Sequence, residues 1–279
     1  MTATSTSATS TSATSTSEAA DRSDWREAGR GWGAQATDWA YLFEPYARPA
    51  NDVLLDRLAV GAGTRLLDVA CGSGLAANAA ARRGATVSGL DAASALIDIA
   101  MARTPAADFR VGDMFDLPFT DRSFDVVTSF NGIWNGCDGA LLEARRVLTE
   151  SGRLGLTYWG AYERMGLLPY FGAVIQHSPA SHQAATTRLG ETAEVAEAML
   201  ATAGFELTDR GTVEVVNEWP DVDTAVRALA AAGPSIPAIH AIGRDAFCQA
   251  LRGIVATWHD PRLGVRVSSE FGWVTARPR

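Results

Sequence analysis

The sequence contains no lysine, since all 24 of its basic residues are arginines, and it has only three cysteines in 279 residues. Cys71, Cys137 and Cys248 are far apart and odd in number, which excludes a CxxC metal or redox pair and argues against a disulfide framework. The 32 acidic residues leave a net charge of −8, which excludes the basic surface of a general nucleic-acid-binding protein. We therefore expect free thiols, a cytoplasmic location and no nucleic-acid partner.

Long apolar runs are also absent, so no segment is predicted to cross or anchor to a membrane. The N-terminus lacks the charged start and apolar centre of a signal peptide. Instead, residues 1–20 repeat the motif TSATS with almost no large apolar side chain, which predicts a disordered tail. Residues 21–279 are predicted to form one domain, because the 47% apolar content of the chain supports a sizeable core.

Strand and helix patterns alternate along the first half of the chain. The apolar strands RLLDVA, TVSGLD, DFRVGD, FDVVTSF and RLGLTYW are separated by helix patterns such as GLAANAAARRG and SALIDIAMAR. This alternation predicts a parallel sheet with both faces covered. Residues 25–58, ahead of the first strand, are predicted to be helical and rich in aromatics, with Pro45 and Pro49 dividing them into two helices.

The second half is less regular. Strand patterns occur in FELTDRGTVEVV and VRVSSEFGWVTAR, and helix patterns occur near residues 161–176, 192–203, 222–231 and 244–258. Helices inserted near the last strands predict a cap, around residues 161–190 and 221–260. Such a cap would cover the carboxyl edge of the sheet, where open α/β folds bind ligands.

The stretch LLDVACGSGLAANAAARRGATVSGLD has the order of a nucleotide-binding βαβ unit. A dinucleotide loop, GxGxxG, would place Leu75 at its third small position, and leucine is too large there. A GxGxG spacing instead places Ala70, Gly72 and Gly74 after Asp68. Because alanine disfavours positive φ, we expect a right-handed or extended backbone at Ala70.

These residues resemble the first motif of the class I S-adenosylmethionine-dependent methyltransferases, in particular the UbiE-like small-molecule family. The later motifs follow in the family's order: Asp91 at the end of the second strand, GDM after the third strand, and FDVVTSFNGIWN as the fourth motif. EARRVLTESGRLGL resembles the family's E..RVLkPGG.l, although TES replaces its Lys, Pro and first Gly. The resemblance covers residues 32–159.

The resemblance implies a Rossmann-like, doubly wound, mostly parallel seven-stranded sheet with an N-terminal helical segment and an inserted helical cap. It also implies an enzyme that uses S-adenosylmethionine and no metal. Asp91 would bind the ribose hydroxyls or cap the next helix, Asp113 and Met114 would meet the adenine, and Asn131 would lie beside the methionine portion. The implied cofactor-binding residues are Asp68, Ala70, Cys71, Gly72, Gly74, Asp91, Ala92, Asp113, Met114, Asn131 and Trp39.

The acceptor is predicted to be a small, hydrophobic organic molecule, because the cap stretch DVDTAVRALAAAGPSIPAIHAIG is strongly apolar. We expect it to be natural-product or quinone-like, and methylation at oxygen, nitrogen or carbon stays open. His177, His182 and His240 are candidates for a general base, with a surface role as the alternative for each. The alternative function is a cyclisation or decarboxylation by a protein that binds the same cofactor. A homodimer stays open as a further partnership.

Overall fold

The computed structural model describes residues 25–182 and 192–279. The predicted tail, residues 1–20, lies outside these ranges, as do residues 183–190 of the predicted cap. The N-terminal segment is mostly helical, and its elements are α1 (Trp25–Gly33), α2 (Ala36–Asp38), a π-helical turn (Trp39–Phe43), a 3-10 turn (Glu44–Ala47) and α3 (Arg48–Arg57). Each proline is the second residue of its element, Pro45 in the 3-10 turn and Pro49 in α3. Proline is tolerated there because the first helical N–H groups need no intrahelical partner.

Strands and helices then alternate as predicted. The elements of this half are β1 (Arg65–Val69), α4 (Leu75–Arg82), β2 (Thr86–Asp91), α5 (Ser94–Arg103), β3 (Asp108–Val111), β4 (Phe124–Phe130), α6 (Asp138–Val147) and β5 (Leu148–Trp159). The stretch TES lies within β5, whose register on β4 shifts there from Phe124↔Leu148 to Val126↔Arg153.

The second half contains a 3-10 turn (Tyr162–Arg164), α7 (Leu168–His177), α8 (Ala193–Thr202), β6 (Phe205–Trp219), α9 (Val222–Ala231), α10 (Ser235–Ile242), α11 (Arg244–Ala256), β7 (His259–Asp260) and β8 (Gly264–Pro278). The sequence patterns predicted β6, β8 and most of these helices, but not α10. The prolines around it, Pro234 and Pro237, are helix-breaking signals, yet both lie at or near the first turn, where proline is tolerated.

The sheet has the order β3-β2-β1-β4-β5-β8-β6 among the described residues, with the short β7 paired to β8. β8 is antiparallel to both of its long neighbours, β5 and β6, and the other pairings along this path are parallel. The seven strands of the main path confirm the predicted mostly parallel, doubly wound sheet. The strand order reverses between β1 and β4, so a ligand crevice is expected at the carboxyl ends of these two strands.

β6 and β8 continue beyond the end of β5. β5 ends at Trp159, opposite Phe271, whereas the β6–β8 pairing runs on to Trp219↔Val265. We call residues 214–219 and 264–270 the strand extension. The cap helices α7, α9, α10 and α11 share one apolar core with this extension and with Phe43 of the N-terminal segment.

The helices of this core are short. In the part of the chain that the structure describes, no single helix combines the length and the apolar character needed to cross a membrane. Helices α9 and α10 reach that length and composition only as a pair, which is bent by 99°.

Candidate active site

Asp68 lies at the carboxyl end of β1, between β2 and β4. Its side chain is buried, and the Thr128 hydroxyl donates a hydrogen bond of 2.9 Å to its Oδ1. Its Oδ2 has no hydrogen-bond partner within the described ranges. Burial raises the pKa of Asp68 to about 8; the Thr128 bond opposes this rise, while the charges of Glu44 and Asp91 add to it. A buried carboxyl group with one unpartnered oxygen is suited to a cationic ligand.

Residues 70–74 form the glycine loop between β1 and α4. Ala70, Gly72 and Gly74 all have left-handed backbones, with φ values of +56°, +55° and +74°. The expectation of a right-handed or extended Ala70 was therefore wrong. The chain turns directly after β1, and the Cys71 N–H donates to a carbonyl of β2 at 3.0 Å. The turn and this hydrogen bond together fix the backbone conformation of Ala70. A left-handed alanine costs about 1–2 kcal/mol, and such strain is often concentrated at functional sites.

Gly72 allows the segment of residues 39–47, which we call the aromatic segment, to lie directly on the glycine loop. A Cβ at Gly72 would come within 2.8 Å of the Trp39 ring, so no larger residue fits. The Trp39 ring packs edge-to-face on Trp32 at 5.8 Å, so it also contributes to the packing between the N-terminal elements. Tyr41, two residues along the same segment, is 58% exposed.

Asp91 ends β2 and accepts two backbone hydrogen bonds of 2.8 Å, from Gly72 to Oδ2 and from Ala93 to Oδ1. Ala93 immediately precedes α5 and no side chain caps this helix, so the bond from Ala93 fixes the turn ahead of α5 rather than its first N–H groups. The other bond ties Asp91 to the glycine loop. Burial raises the pKa of Asp91, while these hydrogen bonds lower it. Helix α1 packs on the adjacent Ala92 so closely that a Cβ at Gly29 would lie 2.1 Å from the Ala92 carbonyl oxygen.

The remaining predicted cofactor residues follow β3 and β4. Asp113 accepts the Phe115 N–H at 2.9 Å, and Met114 is partly buried against the core. Asn131 has φ +55°, and its N–H donates to the Thr157 carbonyl at 3.1 Å. The Thr157 hydroxyl also donates to Asn131 Oδ1 at 3.2 Å. The predicted residues therefore meet at the carboxyl ends of β1, β2, β3 and β4.

A buried cluster of Glu44, Ser73 and Arg103 joins the aromatic segment to the glycine loop, and the sequence analysis missed it. Glu44 is 8% exposed, and its Oε2 accepts from the Ser73 hydroxyl and, at 2.8 Å, from Arg103. Arg103 also donates to the Ala40 carbonyl at 2.8 Å. Burial raises the pKa of Glu44, and the bonds from Ser73 and Arg103 lower it. The only sequence signal was Glu44, an isolated acidic residue in an aromatic stretch, and such a residue does not indicate which basic residue it pairs with.

The candidate bases are not part of this arrangement. His177 is partly buried and packs edge-to-face on Phe247 at 6.3 Å, whereas His182 and His240 are exposed. Burial raises the pKa of the Cys71 thiol well above its ordinary value, so this residue is not an activated nucleophile. No group of His, Cys, Asp or Glu that could hold a metal occurs in the described ranges.

Two open grooves differ in their relation to the site. One, of about 430 Å³, runs between α1 and the residues after β2, and it is lined by Gly29, Ala92 and Val111 among others. The other, of about 360 Å³, is lined by Arg65 and Thr86, at the amino ends of β1 and β2. Only the first adjoins the predicted cofactor residues.

Comparison with known proteins agrees with this geometry. The family described as "Methyltransferase domain" matches residues 67–156. The demethylmenaquinone methyltransferase of Tropheryma whipplei (strain Twist) is 32% identical over 195 residues, which cover 63% of this chain and 81% of that protein. The chain belongs to the class I S-adenosylmethionine-dependent methyltransferases. Members of this family use S-adenosylmethionine as their methyl donor.

Other relatives match over less of their length. The demethylmenaquinone methyltransferase of Thermotoga maritima is 42% identical over 94 residues, or 32% of this chain. The chain thus spans 41% of that relative. A solved putative methyltransferase from Bacillus halodurans has a TM-score of 0.57 at 20% identity, over 82% of this chain and 99% of that one. The last likeness shows the shared Rossmann-like fold.

Proposed function

We propose that this methyltransferase acts on a small, largely apolar organic acceptor held between the aromatic segment and the cap helices. The observation that carries the proposal is the shared apolar core of Phe43, the cap helices and the strand extension. This core adjoins the carboxyl edge of the sheet, where the glycine loop lies. The names of the two relatives, both demethylmenaquinone methyltransferases, support a quinone-like acceptor or a natural product of similar character.

We infer that the predicted cofactor residues hold the methyl donor. The buried, unpartnered Oδ2 of Asp68 fits a ligand with an ammonium group, because a carboxylate there needs a cation. Asp91 lies one hydrogen bond from the loop, where a ribose would have a charged acceptor. We assign the adenine to the turn of Asp113 and Met114 and the methionine portion to Asn131. Trp39, on the loop, would offer an aromatic face to the cationic ligand.

S-adenosylmethionine, when bound, supplies a methyl group on a sulfonium for direct displacement by the acceptor. The chain itself contributes alignment and the exclusion of water. In this proposal the strand ends fix the donor, while the aromatic segment and the cap helices align the acceptor and keep water away. For an acceptor that loses a proton, His177 is the best placed candidate base, since it alone of the three cap histidines is partly buried.

The proposal is tested in two steps on the full chain. Calorimetric titration should show binding of S-adenosylmethionine and S-adenosylhomocysteine and no comparable binding of NAD, because Leu75 blocks a dinucleotide loop. A labelled-methyl screen then compares naphthols, quinols and terpenoid alcohols with amino acids and nucleosides. Label in the apolar group, with a mass gain of one methyl, is expected. Label only in the polar group, or a rearranged product with no added methyl, would refute the proposal.

A further inference from the structure

Asn217, in the strand extension, has a buried side-chain amide. It is 1% exposed, and neither its Nδ2 nor its Oδ1 has a hydrogen-bond partner among the described residues. Burying an amide without partners is costly, and native proteins rarely leave both of its polar atoms unpaired. A group of this kind needs an explanation, and a ligand that supplies the missing hydrogen bonds is one.

A second unpartnered polar group lies on the same face of the strand extension. Ser269 is 2% exposed, and its Oγ also has no partner in the described part of the chain. Asn217 pairs with Val267 and Val215 pairs with Ser269 in the antiparallel register. Directly paired residues share a face, and alternate residues on one strand share it too, so Asn217 and Ser269 are diagonal neighbours.

The surroundings of this pair are apolar and aromatic. Next to Asn217 along β6, the Trp219 indole donates to the Leu42 carbonyl at 2.7 Å, and Val215 clusters with Phe271 and Tyr46. The aromatic segment therefore lies against both neighbours of Asn217. Because alternate residues of a strand share a face, the Asn217 side chain points to this same side.

The same face also borders the carboxyl edge of the sheet. The Tyr46 ring stacks on Trp159, the last residue of β5, at 6.1 Å and packs on Phe271 at 5.6 Å. Burial raises the pKa of the Tyr46 phenol, as do the nearby Tyr170 and Glu44, so this phenol stays neutral. Two unpartnered polar groups thus occur in an apolar wall, beside the strand end at which an acceptor is expected.

We propose that Asn217 and Ser269 form the subsite that binds a neutral oxygen function of the acceptor, a carbonyl or a hydroxyl attached to an apolar ring system. The proposal rests on the proposed function, because it concerns the same acceptor. The Asn217 amide can donate to a carbonyl or accept from a hydroxyl, and the Ser269 hydroxyl can do either. Neither side chain carries the positive charge that a buried carboxylate or phosphate would need.

The first test is the stability of the variant Asn217→Leu. Leucine has a similar size and no polar atoms, so the substitution removes the unpaired amide without opening a cavity. We expect the midpoint of thermal unfolding to rise by about 2–4 °C. The matched control is Thr208→Val, at the other end of the same strand pair, where Thr208 is hydrogen-bonded to Thr275 at 2.8 Å. That variant should unfold at a lower temperature.

The second test uses two probes that differ by one hydroxyl group, 2-naphthol and naphthalene. With S-adenosylhomocysteine present, the wild type should bind 2-naphthol about tenfold more tightly, because a site built for a hydrogen bond discriminates against the analogue that lacks it. Asn217→Leu should abolish this preference while keeping the affinities for naphthalene and S-adenosylhomocysteine. Thr208→Val should keep the preference. Ser269→Ala, a smaller change, should reduce the preference and serves if Asn217→Leu does not fold.

The outcomes separate this proposal from the proposed function. Equal binding of both probes, or a preference that survives in Asn217→Leu and Ser269→Ala, overturns the subsite and leaves the apolar acceptor standing. A lower unfolding temperature for Asn217→Leu with an unchanged preference shows a purely structural amide and overturns the subsite as well. If neither probe binds while S-adenosylhomocysteine does, the apolar acceptor itself is refuted together with its subsite.

Discussion

Asp91 serves the fold and the proposed site through the same carboxylate. One oxygen accepts the N–H of Gly72 in the glycine loop, and the other accepts the N–H of Ala93 ahead of α5. Each carboxylate oxygen has a second lone pair, so both can still accept a hydrogen bond from a ligand hydroxyl. Holding the turn ahead of α5 and binding a ribose are therefore compatible at this residue, and a substitution has to be judged on both counts.

Asp91→Ala is expected to lower the affinity for S-adenosylmethionine by about tenfold to a hundredfold, since hydrogen bonds to charged groups contribute roughly 1.5–3 kcal/mol. Calorimetric titration measures this, with the unfolding temperature as a check on the fold. Asp98→Ala, on the exposed face of α5, is the matched control and should leave the affinity unchanged. Asp113→Ala should be milder than Asp91→Ala. Wild-type affinity in a folded Asp91→Ala variant would leave Asp91 with only its two structural hydrogen bonds, to Gly72 and Ala93.

If Asp68 binds the ligand ammonium as proposed, cofactor affinity should depend on pH. Its pKa is raised to about 8 by burial, so the carboxyl group of the free protein is mostly protonated near neutral pH. Pairing with a ligand ammonium favours the carboxylate and releases a proton, so affinity for S-adenosylhomocysteine should rise between about pH 6 and pH 7.5. The rise approaches about tenfold per pH unit for one linked proton. This window lies below the ordinary pKa of an α-amino group, about 8.

The control for this pH dependence is Asp68→Asn, which has the same shape and no titration. Its affinity should be lower at about pH 7.5 and nearly flat over the same range. Glu44 and Asp91 are the charged neighbours that contribute to the raised pKa, and both stay in place in this variant. A slope in Asp68→Asn as steep as that of the wild type would assign the titration to another group.

The residues of the site could be predicted where the neighbouring sequence sets what the backbone requires. The small residues of the loop and the acids after β1, β2 and β3 follow from the strand pattern, and the structure brings them together at one sheet edge. The conformation of Ala70 was not predictable, because propensity describes what alanine prefers and not what the loop imposes. Unpaired atoms, such as those of Asn217, also have no sequence signature, since they depend on what packs around them.

At the scale of elements, the buried ion pair of Glu44 and Arg103 joins the aromatic segment to α5, and the Ser73 hydroxyl, which donates to Glu44, extends this contact to the glycine loop. Glu44→Gln leaves Arg103 without its anion, and we expect a loss of about 1–3 kcal/mol. Each kcal/mol of lost stability should lower Tm by about 2–4 °C. Trp39 belongs to the same segment and packs on the glycine loop. Loosening the segment should therefore make dissociation of S-adenosylhomocysteine faster. Thermal unfolding and stopped-flow tryptophan fluorescence measure the two effects.

The control for Glu44 is an exposed ion pair elsewhere in the sheet. Arg65 and Asp125 pair at 2.6 Å, with side chains that are 49% and 35% exposed. Exposed pairs contribute about 0–1 kcal/mol, so Asp125→Asn should change Tm little and leave dissociation unchanged. If Glu44→Gln behaves in the same way, the aromatic segment is held by its apolar contacts alone.

The elements that could be predicted are those whose pattern is continuous in sequence. Apolar strands and alanine-rich helices have such patterns, and the βαβ half of the sheet matches them nearly residue by residue. The extra length of β6 and β8 was not predictable. Their alternation of polar and apolar residues indicates a half-exposed strand but not where that strand ends. Helix α10 was hidden by its prolines, and the pairing of Glu44 with Arg103 spans elements whose packing no local pattern specifies.

At the scale of the whole molecule, the proposed donor and acceptor regions are built from different parts of the chain. The proposed donor site belongs to the βαβ half, whereas the cap helices and the strand extension come from the second half. The aromatic segment contacts both, through Trp39 on the loop and Phe43 in the cap core. Changes in the cap should therefore affect the acceptor and spare the donor.

Ile239 tests this separation. It is partly buried on α10 against the cap core, whereas Ile242 on the same helix is 39% exposed. Ile239→Asp forces an unpaired charge toward an apolar core, so acceptor methylation should fall by about tenfold or more. Affinity for S-adenosylmethionine should stay within a few-fold, because the glycine loop and the strand ends are untouched. Ile242→Asp, the same change at an exposed position, should keep full activity. A folded Ile239→Asp variant with wild-type turnover would place the acceptor away from the cap.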